Sequence, residues 1–203
     1  MARRQQPLEF AVLGLLHEGP MHGYELRKRL DLAIGLFRAL SFGTLYPALR
    51  RLVAADYLTE TTDATASAAR PRITYRLTEA GRDRFAELAS RLEADAYDDD
   101  GFELRLAFFA RTESVVRLRV LDGRRARLEE RLAALRAGAR DPSAERDTWS
   151  LALRRHSEEQ LERDIRWLTE LAAAERSAPV ARPGTLTDPG HPAFRSTTPP
   201  TQR

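Results

Sequence analysis

The chain has 203 residues, no cysteine, 42% hydrophobic residues and a formal net charge of +3. That suffices for one packed domain with an appendage or for two small domains, and it excludes disulfides and thiolate metal sites. Arginine supplies nearly all the positive charge. Basic and acidic residues almost balance in residues 1–95 (14 and 12) and in residues 96–177 (16 and 17), so total charge alone does not point to nucleic acid. The apolar run over residues 10–16 is too short to cross a bilayer and lacks a small-residue cleavage site, so a cytoplasmic protein with no membrane partner is expected.

Residues 1–6 form a polar arm in which Arg3 and Arg4 are candidate backbone contacts for DNA. Residues 8–17 read as a mostly apolar helix that Gly19 and Pro20 end. Residues 21–30 open a second helix, with Leu26 and Leu30 on one face and Arg27, Lys28 and Arg29 outward. Residues 36–40 are an apolar connector, after which Ser41 is a suitable N-cap for a third helix. Pro47 must fall near the start of that helix, because an interior proline costs about 3 kcal/mol.

That third helix, over residues 41–55, organises the chain. Leu45, Leu49, Leu52 and Val53 make an apolar stripe at helical spacing. The other side carries Thr44, Tyr46, Ala48, Arg50 and Arg51, and no acid occurs from Arg38 to Ala55. Arginine suits guanine edges or phosphates, hydroxyls suit phosphates, and a methyl suits thymine. Taken alone, such a face is as readily a solvated basic surface. Beyond it the period changes to two: residues 57–62 and 73–77 read as strands of a hairpin with a flexible tip flanked by Arg70 and Arg72. Thr78 caps a further helix to about residue 95. Three helices and a hairpin make a winged helix-turn-helix, with the third helix entering the major groove and the hairpin tip touching the flank.

The runs LGLLHEGPMHGYELRKRL, SFGTLYPALRRL and PRITYRLTEAGR, in that order over roughly residues 8–85, closely resemble the PadR family of bacterial transcriptional regulators. Phe42 departs mildly, standing where the family commonly has proline. The resemblance implies a dimeric repressor on a palindromic operator, released in some members by a phenolic acid, a drug or another small aromatic. The expected DNA contacts are Tyr24, Ser41, Thr44, Tyr46, Arg50, Arg51, Arg70 and Arg72. Tyr24 is equally readable as a core tyrosine with a polar tip.

Residues 96–101 read as an acidic break and hinge, and residues 102–111 as a short buried helix. Thr112 is a candidate cap for a long helix to about residue 137, and the turn at Asp141, Pro142 and Ser143 leads into another to about residue 175. Leu118, Leu121, Leu128, Leu132 and Leu135 on the first, and Leu161, Ile165 and Leu168 on the second, form apolar seams close to a coiled-coil pattern. Such faces pack on each other or on a partner; a homodimer through the helical pair is the expectation, as in the PadR subgroup with a two-helix dimerisation domain. Phe108, Phe109, Trp149 and Trp167 are candidate walls of an effector pocket, although aromatics at this spacing are more often simple core. Four scattered histidines carry no metal spacing, and no nucleophile–base pattern or phosphate-cradling glycine loop occurs, so neither metal, cofactor nor enzymatic activity is expected.

The expected fold class is therefore mainly α: a winged helix-turn-helix domain (1–95), a helical dimerisation domain (96–176) and a Pro- and Thr-rich tail (177–203) expected to be disordered. The function expected is sequence-specific DNA binding by a transcriptional regulator. The alternatives left open are an activator and a winged-helix protein-interaction module without DNA binding.

Overall fold

A helix apolar on every side belongs inside a core, and α1 (Gln6–Leu16) is buried from Phe10 through Leu16. The structure, a computed structural model, describes residues 6–34, 44–63, 72–138 and 147–177, and divides into two compact units, Met1–Thr112 and Glu113–Arg203. In the first unit α2 (Gly23–Ile34), α3 (Leu45–Ala54) and α4 (Glu79–Ser90) accompany α1. A three-stranded antiparallel sheet completes it, in the order β1 (Met21–His22), β3 (Arg72–Leu77), β2 (Leu58–Asp63). The hairpin register sets Leu58 against Leu77 and Asp63 against Arg72.

The sequence reading placed Met21 and His22 inside the second helix. They instead pair with Tyr75 and Thr74 of β3, and the helix starts only at Gly23. Two residues carry no period-two signal of their own; the exposed edge of β3 recruits them.

α4 stops at Ser90, short of the expected residue 95, because a side chain from further along the chain takes over its end. Arg105 donates through Nη1 to the Ala89 carbonyl at 2.9 Å and through Nη2 to the Arg91 carbonyl at 2.6 Å. These are carbonyls that a helix terminus leaves without helical partners. Arg105→Met keeps the stem and removes the donors, so it should lower stability by about 1–3 kcal/mol in urea denaturation. An unchanged midpoint would show that water satisfies those carbonyls equally well.

The first compact unit runs on past residue 95, to Thr112. Residues 94–97 form a 3-10 turn with Ala96 buried, followed directly by α5 (Asp99–Leu106). Leu104 and Phe108 join the core of the first unit. The Phe108 ring meets Phe10 edge-on at 5.4 Å, and Phe10 stacks on Phe85 at 4.8 Å. Phe108 fits because Gly14 has no side chain: a Cβ there would lie 2.5 Å from the ring. Thr112, expected to cap the next helix, donates its hydroxyl to the Phe108 carbonyl at 3.0 Å. The units part just after it.

His17 follows α1, its ring 4.8 Å from Phe85 and its Nδ1 3.4 Å from Arg82 Nη1. Burial, and then the charges of Arg82 and Arg111, lower its pKa from 6.5 to about 4. The unfolded chain therefore binds this proton at a higher pH than the native protein. The stabilisation is complete above pH 6.5 and is lost as pH falls toward 4. After discounting for the ring's partial exposure, the wild type should lose about 1 kcal/mol more than His17→Gln between about pH 7 and pH 4.5. Parallel losses in urea midpoint would refute this.

The second unit is an antiparallel hairpin of α6 (Ser114–Gly138) and α7 (Thr148–Ser177). Asp147 starts α7: the Ser150 hydroxyl donates to its Oδ2 at 2.7 Å, and the N–H groups of Ser150 at 2.9 Å and Trp149 at 2.8 Å donate to its Oδ1, which together keep the carboxyl pKa below its usual range. The turn at 141–143 lies outside the described residues, as does the tail from residue 178. Leu121, Leu128 and Leu132 of α6 and Leu161 and Leu168 of α7 are buried. Leu118, Leu135 and Ile165 are half-buried. The register is pinned by charge: Arg117 donates to Glu175 at 2.6 Å, with both side chains buried, and Arg176 pairs with Asp122 at 2.7 Å. Removing one partner of such a buried pair strands the other charge, which is why it discriminates between registers.

Candidate nucleic-acid interface

α3 carries the candidate face. Thr44 precedes it as N-cap, and Pro47 falls in its first turn, where a missing N–H costs no helical bond. Leu45, Ala48, Leu49 and Leu52 point into the core. Thr44, Tyr46, Arg50 and Arg51 are exposed, and no acidic residue lies on the helix. Ala48 is a correction: it is 3% exposed, so its methyl packs inward and is not available to thymine. At three residues past Leu45 and four before Leu52 it shares the buried stripe.

The second helix contributes Tyr24, 76% exposed in its first turn. Its position is held by Arg29, which bridges Glu25 at 2.9 Å and Glu18; Arg111 also reaches Glu18, at 2.7 Å. Of the wing residues, Arg72 opens β3 opposite Asp63, and its side chain is outside the described residues. Ser41, Arg70, Arg3 and Arg4 are outside them too.

Between the start of α2, the first turn of α3 and β3 lies a groove of about 470 Å³, lined by His22, Gly23, Tyr24, Tyr46, Ile73 and Tyr75 among others. Tyr75 is nearly buried; burial and Glu60 push its phenol pKa up, while Arg50 opposes them, which places Arg50 within electrostatic reach. The sequence reading took Ile73 only as part of the second strand of the hairpin. It is 40% exposed because the core ends before the strand does. Nor did it single out the pairing of His22 Nδ1 with Thr74 Oγ1 at 2.9 Å, since the two residues are far apart in the chain.

The expected effector aromatics do not assemble within either unit. Phe108 is core of the first unit with its ring against Gly14, whereas Trp149 in the second is 83% exposed. Among the described residues no group of His, Cys, Asp or Glu has the arrangement to hold a metal ion, and no helix is long and apolar enough to cross a membrane.

A buried first helix, a helix pair presenting an exposed basic face and a three-stranded wing define a winged helix-turn-helix domain. Residues 12–87, which make up most of that domain, match the model of the transcriptional regulator PadR-like family. No curated protein matches the chain. Among solved structures, the chain is similar to Bacillus subtilis PadR in complex with operator DNA, at 19% identity over 83% of this chain and 98% of that one, with a TM-score of 0.41. It is similar to smu.1604c from Streptococcus mutans UA159, at 21% identity over 81% and 98%, with a TM-score of 0.40. It is also similar to Bacillus subtilis PadR in complex with p-coumaric acid, at 18% identity over 84% and 99%, with a TM-score of 0.37.

Proposed function

We propose that this protein is a sequence-specific DNA-binding transcriptional regulator, acting in the cytoplasm as a dimeric repressor on a palindromic operator. The observation that carries the reading is the exposed, acid-free face of α3 bearing Thr44, Tyr46, Arg50 and Arg51. A surface helix with no need for an anion ordinarily mixes in acids, whereas a helix meant for a DNA groove excludes them. The wing, through Arg70 and Arg72, grips the flank.

One recognition helix reads few base pairs, and two copies related by a two-fold axis read half-sites about one helical turn apart. Of the seam residues named for the dimer, Leu121, Leu128, Leu132, Leu161 and Leu168 are buried within the single chain, and Leu118, Leu135 and Ile165 are half-buried. The large apolar side chains left exposed at the far end of the hairpin are Trp149, Leu151 and Leu153 of α7, and these are the surface proposed for a second copy; Val115 is exposed at the opposite end, at the start of α6. Arg136 bonds Glu162, so the first two turns of α7 run past the C-terminal end of α6 at Gly138.

Gel shift of the gene's own upstream duplex at two salt concentrations, with sedimentation at micromolar protein, tests both parts. No shift at low salt would favour the second reading, a protein-interaction module, for which the near-neutral charge of +3 is the supporting observation. Release by a small aromatic effector belongs to the same proposal. Fluorescence of the two tryptophans, titrated with phenolic acids and drug-like aromatics, reads it out, and a flat response across a broad panel would count against it.

A further inference from the structure

Glu18 stands where a helix least favours an acid. It follows the C-terminal end of α1, with its own N–H bonded to the Leu15 carbonyl at 3.0 Å, and the carbonyl end of a helix dipole repels a carboxylate. Gly19 then turns the chain away at φ 143°, and a Cβ there would meet nothing within 4 Å, so packing does not hold this corner. Two arginines hold it. Arg29 of α2 donates through Nη1 to Glu18 Oε2, and Arg111 donates through Nη2 to Glu18 Oε1 at 2.7 Å.

The two arginines lead in different directions. Arg29 also donates to Glu25 at 2.9 Å, and Glu25 follows Tyr24 in the first turn of α2. Arg111 ends the 3-10 turn Phe109–Arg111, whose resting place is set by the core residue Phe108: the Arg111 N–H and the Thr112 hydroxyl both donate to the Phe108 carbonyl at 3.0 Å. Thr112 and Glu113 alone separate Arg111 from α6, and the Glu113 carbonyl already accepts the first helical bonds, from Val116 and Arg117. A displacement at the start of α6 therefore reaches Arg111 through the chain, and α2 through Glu18. We infer that Glu18 is a latch: it couples the segment entering the helical unit to the helix that presents Tyr24, and DNA affinity is high only while both arginines are held. The side chains of Glu18, Arg29 and Arg111 are partly exposed, and ion pairs so exposed are individually weak, which suits a link that must open. This rests on the DNA-binding reading above, and these three residues lie outside the DNA face it names.

The test uses the full chain and a duplex selected by the wild-type protein from a random pool. Glu18→Gln and Arg111→Met should each lower affinity about fivefold, the low end of coupling between sites. The double variant should bind no worse than the weaker-binding single, because both cut one link. Glu9→Gln breaks a more buried ion pair, with Arg84, and should leave affinity unchanged, which separates a latch from lost stability. Coupling is reciprocal. Adding the duplex to the wild type should therefore slow amide hydrogen exchange over residues 108–117, and that slowing should be absent from Glu18→Gln. Arg111→Met gives the same readout should Glu18→Gln not fold. Affinity at or above wild type in both variants, slowing that persists in them, or no slowing in the wild type overturns the latch and leaves the DNA reading standing. A wild type that selects no duplex overturns both.

Discussion

Arg50→Ala is expected to weaken operator binding by about 1–3 kcal/mol and to relax specificity at one position of each half-site. Arg50 lies one turn beyond Tyr46 on a helix whose inner face is fixed by Leu45, Leu49 and Leu52, so its guanidinium is aimed outward by packing it does not share. It is exposed in the free protein, so alanine should change stability little. Operator and scrambled duplex titrated at two salt concentrations separate the possible contacts. A base contact costs affinity on the operator alone. A phosphate contact costs both about equally and flattens the salt slope by about one. Arg51, on the next position and exposed on α3, is the matched comparison. If neither alanine variant alters either titration, the assignment of this helix face fails.

Gly81→Ala should destabilise the winged domain by about 3 kcal/mol or more, an effect tied to overpacking against backbone. A Cβ on Gly81 would lie 2.2 Å from the Tyr57 carbonyl oxygen and 2.8 Å from Leu77 Cδ1. The carbonyl cannot retreat, because it accepts from the Thr78 N–H at 3.2 Å and the Thr78 hydroxyl at 3.0 Å. Thr78 in turn caps α4, accepting from the Gly81 N–H at 3.0 Å. This knot ties the foot of the wing to the helix that follows it. Gly138→Ala is the control, since a Cβ there meets nothing within 4 Å. Urea denaturation should separate the two sharply, and equal midpoints would refute the steric argument.

The Gly in TEAGR is informative about legibility. Its place in the motif was readable, but its cause was not, because the carbonyl it must avoid comes from Tyr57, beyond the wing. The candidate face divides along the same line. Tyr46, Arg50 and Arg51 were placed outward correctly from helical spacing, and Ala48 was misplaced because a small apolar residue fits either side of a stripe. His22 was read as the start of a helix and Ile73 as a strand residue; their setting was not readable, since it is made by β1 pairing with β3 and by where the core ends.

What the amino-acid order determined by itself was whatever depends on neighbours a few residues away. That covers α1 as a buried helix, the stripe of α3, the hairpin, the Thr78 cap and the leucine seams of α6 and α7. The tertiary structure alone decided that Met21 and His22 become a strand, that Arg105 ends α4, and that residues 96–112 belong to the first unit through Phe108 and Gly14. It also decided that Leu121, Leu128, Leu132, Leu161 and Leu168 are buried within one chain. A local pattern states that a face must be covered. Which surface covers it is set by contacts between residues distant in sequence, whose free energy exists only once the chain has closed on itself.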